Sequence, residues 1–286
     1  MVAIPARNEA DELEDCLFAL AAQRPAAIDC LVVCLNNCTD GSAAVIRRIA
    51  VALPFCVDVV EVTLPPDRAC AGMARRIAMD RAAALVGLEG ILVTTDADAR
   101  VPPGWLAANL AAIAMGADAV AGQVEIEPFG ARLVPQHLHE IDTRECNYAA
   151  LLDEIRSLLD PDPADPWPRH DQQCGASIAV TTAAYRHAGG MPLVPLAEDR
   201  AAFFGNLRQI DARIRHAPEV RVVVSARLHG RAQGGMADTI RRRITRVDPF
   251  LDARLEPAGD AARRARACGQ LRRMWQVGTA ERGSSD

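Results

Sequence analysis

Over its first 126 residues the sequence alternates short β-rich apolar runs with helical stripes, and few folds can satisfy that alternation. Runs at residues 2–5, 30–35, 57–64, 91–95 and 119–126 read as strands, with a helical pattern after each of the first four. Strand and helix in regular succession build βαβ units around a mostly parallel sheet. Residues 30–35 are apolar without a break, as a strand covered on both faces must be. Leu13, Cys16, Leu17 and Leu20 fall at i, i+3, i+4 and i+7, the stripe of a helix packed on that sheet. Val45, Ile46, Ile49 and Leu53 repeat the pattern after the turn formers of residues 36–42, and residues 72–85 and 104–115 supply two more helices.

The second half is less regular. Residues 131–159 carry a helical pattern, and the Pro-rich stretch 160–168 is a long loop, because proline removes donors and fixes φ. A short strand at 178–180, a brief helix capped by Thr182, a break at Gly189-Gly190, a helix at 198–209 and a run at 220–225 follow. The expected division is one α/β domain over residues 1–245, with residues 1–126 and 127–245 as its halves. Residues 246–286, rich in Arg and Ala, read as a helical appendage with a frayed tail.

Composition narrows the partners. All 32 basic residues are Arg against 37 acids, a net charge of -5 that argues against a nucleic-acid surface. No apolar run reaches the ~18 residues of a membrane span. The Arg-rich segment at Arg263, Arg264, Arg266, Arg272 and Arg273 reads first as a solvated helix face, with peripheral membrane contact and homo-oligomerisation as alternatives. The nine cysteines contain no CxxC pair and mostly sit in apolar runs, as buried thiols do in a reducing cytoplasm.

In open α/β sheets ligands sit beyond the carboxyl ends of the strands. Three such ends carry polar clusters here: Arg7, Asn8 and Glu9; Asn36 and Asn37; Asp96 and Asp98. The pair Asp96-Ala97-Asp98 follows a buried strand directly, and two carboxylates in one turn, joined by phosphate oxygens, suit Mg2+ or Mn2+.

The order of these clusters carries a resemblance. The opening Val2-Ala3-Ile4-Pro5-Ala6-Arg7-Asn8-Glu9 with Leu13, Cys16 and Leu17 is similar to that of family 2 glycosyltransferases. Asn37-Cys38-Thr39-Asp40-Gly41-Ser42, Gly72-Met73-Ala74-Arg75, Thr95-Asp96-Ala97-Asp98, Gly175-Ala176-Ser177, Gly189-Gly190 and Glu198-Asp199 then follow in family order over roughly residues 1–245. The resemblance implies the GT-A fold: a single Rossmann-like mixed sheet flanked by helices, with an acceptor-binding half fused to it. It also implies a nucleotide-diphosphate sugar donor, a hydroxyl acceptor and a divalent cation. Carried over by position, Pro5, Arg7, Glu9, Asn37, Arg75 and Asp96 bind the donor nucleotide, and Asp98 binds the metal, joined by His229. Asn37 stands where the family often has an aspartate that reads the base, and an amide offers donors as well as an acceptor, which leaves the nucleotide open. Asp199 of the Glu198-Asp199 pair is the general base of an inverting displacement, and Gly175, Ala176 and Trp167 face the acceptor. Asp40, in Asp-Gly-Ser before a helix, reads first as a plain helix cap.

Two other readings use the same residues. A nucleotidyltransferase also pairs acids on an α/β sheet, but its Lys-bearing phosphate loop is missing from a chain without Lys. A non-catalytic nucleotide-sugar-binding protein of the same fold has no need of Asp96, Asp98 and Asp199 together.

Overall fold

The computed structural model describes residues 1–128, 132, 134–193, 199–225, 227, 230, 236–245 and 255–283. Its elements run β1 (Val2–Ala6), α1 (Leu13–Ala21), β2 (Cys30–Asn36), α2 (Ser42–Ala50), β3 (Cys56–Val62), α3 (Ala71–Val86), β4 (Ile91–Thr94), β5 (Ala99–Arg100) and α4 (Trp105–Ala114). There follow β6 (Ala119–Ile126), α5 (Gln136–Leu159), β7 (Ile178–Thr181), α6 (Thr182–His187), α7 (Asp199–Gln209), β8 (Ile214–Val224), α8 (Met236–Thr245) and α9 (Ala258–Gly283).

All eight strands form one sheet in the order β3-β2-β1-β4-β7-β6-β8-β5. The first four are parallel, β7 runs antiparallel to both β4 and β6, and β5 runs antiparallel to β8, so the sheet is mixed. Every residue of β1 and β2 is buried, and side-chain alternation sends them to opposite faces. Val2, Ile4, Leu31, Val33 and Leu35 join α1, α2 and α4 on one face, around Leu13, Leu17, Ile46 and Trp105. Ala3, Val32 and Cys34 meet α3 on the other, where Ala74, Ala78 and Ala82 let the helix lie close and Met79, Phe203 and Phe204 fill the remaining space. The result is three layers, with the core split by the sheet.

The expected stripe of α1 is buried as read; on α2 Ile46 and Ile49 are buried and Val45 is half-buried, and the helix stops at Ala50, leaving Leu53 beyond its end. Three details differ from the sequence reading. Thr181, not Thr182, caps α6, its hydroxyl accepting the Ala184 N–H at 3.2 Å. The final strand begins at Ile214, six residues before the apolar run, because its first half pairs with Ala119–Gly122 ahead of a bulge at Gly122/Gln123. The two-residue β5 has no sequence signal, and it matters below. Gly122 has no room for a side chain: a Cβ there would lie 2.2 Å from Ser177 Oγ and 2.8 Å from Val220 Cγ1. The helix α9 packs on α5, and among the described residues no helix is long and apolar enough to cross a membrane.

Candidate functional site

Because β1, β2 and β4 are parallel and in register, Ala3 beside Thr94 and Ala6 beside Leu35, their carboxyl ends open on one edge of the sheet. Two asparagines turn the chain there. Asn8 and Asn37 both adopt left-handed backbone, at φ 55 and φ 51, which Asn tolerates better than most residues. Asn8 Oδ1 accepts the Thr39 N–H at 2.7 Å, tying the β1 turn to the β2 turn. Asp40 ties them again, accepting from Ala10 N–H at 3.0 Å and from Ser42 at both its N–H and hydroxyl. Burial raises the Asp40 carboxyl, but these hydrogen bonds outweigh it and hold the group below its usual range. Asp40 thus does the work of a cap and a clasp.

Asp96 and Asp98 stand at the centre of the edge. Arg75, on α3 and only 4% exposed, donates to Asp96 Oδ1 at 2.7 Å, to Thr94 Oγ1 at 3.0 Å and to the Gly175 carbonyl at 2.8 Å. An arginine on a helix is ordinarily exposed, so this burial marks Arg75 as the fixed anchor of Asp96. Thr95 donates its hydroxyl to the Ala176 carbonyl at 2.7 Å, which fastens the 175–176 segment beneath the same turn.

On the other side stands Arg227. Its two terminal nitrogens each donate to the Glu9 carboxylate at 2.6 Å, a bidentate pair, and one lies 3.1 Å from Asp98 Oδ2. Glu9 is 5% exposed and its backbone N–H is held by Ser42 Oγ at 2.9 Å. Burial, then the charge of Asp96, push the Asp98 carboxyl up to about 7; Arg227 opposes the shift and Glu9 adds to it. The edge therefore concentrates negative charge that two guanidiniums only partly offset. Arg227 reaches it because β5, directly after Asp98, pairs with the end of β8 through Ala99 and Val224, three residues before the arginine.

Of the other expected residues, Pro5 lies buried in β1 and Arg7 donates to the Ala69 carbonyl at 2.9 Å, closing the turn before α3. The Asn37 amide is engaged at both ends with one residue, donating to the Leu64 carbonyl and accepting the Leu64 N–H, each at 2.9 Å. Trp167 is 44% exposed in a loop whose neighbouring carbonyls, of Pro166 and Pro168, are held by Arg215; among the described residues no hydrogen bond joins that loop to the acidic edge. Asp199 begins α7 in its backbone, while Glu198 and His229, like Arg231 and Gly234-Gly235, fall outside the described residues. Among the described residues no group of three or more His, Cys, Asp or Glu side chains is gathered to hold a metal.

Comparison with known proteins decides the family. The pattern of glycosyl transferase family 2 matches residues 1–163, more than half of the chain. The chain belongs to glycosyl transferase family 2. Its mixed α/β fold is the GT-A fold of its structural neighbours. The mannosyltransferase PcManGT from Pyrobaculum calidifontis, in complex with GDP-Man and Mn2+, is 20% identical with a TM-score of 0.55, over 100% of this chain and 80% of that one. S. aureus TarS 1-349 in complex with UDP-GlcNAc is 16% identical with a TM-score of 0.55, over 85% of this chain and 64% of that one. Its complex with UDP aligns at 16% identity and a TM-score of 0.53, covering 78% of this chain and 59% of TarS 1-349. The chain thus spans less than two thirds of that relative. No curated protein matches the sequence.

Arg227 is the site residue the sequence reading missed. The sequence reading names His229, two residues on; the usable signal is that a basic residue closely follows a strand end, as acidic residues do at Glu9 and Asp98.

Proposed function

We propose that this glycosyltransferase moves a sugar from a nucleotide-diphosphate donor to an acceptor hydroxyl by inverting displacement, with a divalent cation at the acidic edge. The reading is carried by one observation: Glu9, Asp96 and Asp98 converge at the carboxyl ends of parallel strands, with Asp98 pushed up to about 7 by burial and like charge. The residues present fit a hard cation. One or two carboxylates completed by phosphate oxygens suffice for Mg2+ or Mn2+, so the want of a third ligating side chain does not count against it. Asp98 would hold the ion, with His229 as a further ligand. Bound there, it supplies charge stabilisation to the departing nucleotide diphosphate.

The chain's own groups do the rest. Arg75 fixes the Asp96 carboxylate through a buried three-way contact, so that Asp96 faces the ribose without reorganising. Arg7 and Pro5 border the base pocket. With the Asn37 amide closed on Leu64, the base is read by the groups around it, and the two neighbours, one with a GDP sugar and one with a UDP sugar, leave both nucleotides to be tried. Asp199, with Glu198 beside it, takes the proton of the acceptor hydroxyl; the Gly175-Ala176 segment and Trp167 line the acceptor's approach.

Calorimetric titration with UDP, GDP, ADP and TDP, each with and without Mn2+, tests the reading on the wild type and on Asp98→Ala. Metal-dependent binding of one nucleotide, abolished in the variant, is the expected result. Binding indifferent to both metal and Asp98 refutes the cation site.

A further inference from the structure

The strands β2 and β3 begin with a pair of cysteines side by side. In their parallel register Cys30 stands opposite Cys56, and the Cys56 N–H donates to the Asp29 carbonyl at 3.3 Å, which fixes the pairing at that point. Strand partners project to the same face of a sheet. The face here is that of α3, because Val32 and Cys34, in alternation with Cys30, and Val60 and Val62, in alternation with Cys56, all pack there. Neighbouring strands lie about 4.7–4.9 Å apart, inside the span of about 4.4–6.8 Å between Cα atoms that a disulfide bridges.

The two thiols differ in access. Cys30 is 9% exposed, while Cys56 is open to solvent on β3, the edge strand of the sheet. They are also in contact: burial first, and then a hydrogen bond with the Cys56 thiol, push the Cys30 thiol up to about 11. Cys30 by itself stays protonated and unreactive, whereas Cys56 meets any oxidant in solution. No other two cysteines are strand partners among the described residues. Cys16 and Cys34 are buried, and the exposed Cys146 and Cys268 sit on helices α5 and α9. Sugar transfer has no use for Cys30 or Cys56, which stand at the amino ends of their strands, opposite the donor edge.

We infer that Cys30 and Cys56 form an oxidative modification site, joined as a disulfide by hydrogen peroxide and clasping the amino end of β3 to β2. The Cys56 sulfur attacks one peroxide oxygen, the O–O bond breaks, and Cys56 becomes a sulfenic acid as the first water leaves. The Cys30 sulfur then attacks the Cys56 sulfur; the S–S bond forms as the S–O bond breaks, and the departing hydroxide takes the Cys30 proton as the second water. Two thiols and one peroxide thus give one disulfide and two waters. Near the carboxyl ends of the same strands the Asn37 amide already holds Leu64 by two bonds, so the clasp fixes the strand pair at both ends. The site is independent of the sugar-transfer reading, since no donor residue takes part.

Hydrogen peroxide is the probe, applied to the reduced, folded full chain before alkylation in denaturant and peptide mass spectrometry. The expected product is a peptide pair joined through Cys30 and Cys56 and separated by dithiothreitol, with Cys16 and Cys34 recovered as alkylated thiols. In Cys30→Ser, dimedone should trap the Cys56 sulfenic acid that the wild type consumes. The oxidised wild type should melt roughly 5 °C above the reduced one, because the bond closes the loop 30–56 in the unfolded chain, and Cys56→Ser should show no such rise. Recovery of Cys30 as a free thiol, with Cys56 carried on to sulfinic acid or joined to another cysteine, overturns the proposal. A Cys30–Cys56 bond that leaves Tm unraised overturns the clasp. If Cys30→Ser proves misfolded by circular dichroism, the wild-type peptide map and melting curves decide alone.

Discussion

Replacing Arg227 with Ala removes the guanidinium that bridges Glu9 and Asp98, and the structure says what this should do to stability and to metal binding. Arg227 gives Glu9 two bonds of 2.6 Å and lies 3.1 Å from Asp98. Breaking one side of a buried ion pair costs about 3–5 kcal/mol. The Arg227 side chain is 23% exposed against 7% for Glu9, so solvent screens part of that loss and about 2–3 kcal/mol is the fairer figure. For a chain of this size that is a fall in Tm of roughly 5–10 °C. The same deletion uncovers carboxylates already crowded enough to hold Asp98 near 7. A divalent cation then meets more uncompensated charge and no competing guanidinium, so Mn2+ alone should bind about tenfold more tightly to the variant than to the wild type, or about 1.4 kcal/mol. Scanning calorimetry across a Mn2+ series reads both effects. At saturating metal the variant should recover about 3–5 °C more than the wild type does. Equal Mn2+ stabilisation of the two proteins would refute the idea that Arg227 and a cation share the acidic edge.

Four further outcomes follow from the same geometry. Arg75→Met should lower stability by about 2–4 kcal/mol in chemical denaturation, because Asp96 and Thr94 lose a buried donor, and nucleotide affinity should drop with it. Asp199→Asn should leave nucleotide binding by calorimetry intact and cut transfer by about 10²–10⁴, the usual worth of a general base; normal turnover removes Asp199 from that role. Gly122→Ala should cost about 1–3 kcal/mol in urea unfolding, since its Cβ meets Ser177 and Val220 inside contact distance. The His170 imidazole sits at about 4 in the folded chain, pushed there by burial first, against about 6.5 unfolded. Between those values the unfolded chain holds the extra proton, so this stability is complete above about pH 6.5 and is lost as pH falls toward 4, an amount of roughly 1–2 kcal/mol after screening. Urea midpoints for wild type and His170→Gln should therefore diverge at about pH 7 and converge at about pH 5; parallel curves would refute the assignment.

The donor half was open to reading because its signals are local. A strand covered on both faces reads as a near-continuous apolar run, as residues 30–35 do, and a helix on a sheet carries its stripe at i, i+3, i+4 and i+7. The polar residues that interrupt these patterns at strand ends then stand out, which is why Glu9, Asn37, Asp96 and Asp98 could be singled out before any coordinates. The second half gave less. The first half of β8, from Ile214, sets Arg215 and His216 side by side and carries Pro218, so it shows no strand alternation and is not legible as a strand until its pairing with β6 is known. A strand of two residues, Ala99–Arg100, offers no periodicity at all.

What stayed hidden was partnership across long stretches of sequence, and that is where the site's character lies. Glu9 and Arg227 are 218 residues apart, and nothing near either predicts the other. Their meeting depends on β5, the element with no local signal, turning back along β8. Asn37 makes the same point from the opposite side. Sequence comparison marks it as a departure from an aspartate, and chemistry alone suggests that an amide changes base recognition. The fold supplies a different reason: a carboxylate could not donate to the Leu64 carbonyl, so the two-way bond that pins the end of β3 to the β2 turn requires the amide. If that is why Asn stands there, Asn37→Asp should weaken the protein before it alters nucleotide choice, with a loss of about 1–3 kcal/mol in denaturant titration from an acceptor facing an acceptor. A variant of full stability whose preference shifts between GDP and UDP would instead return Asn37 to the base pocket.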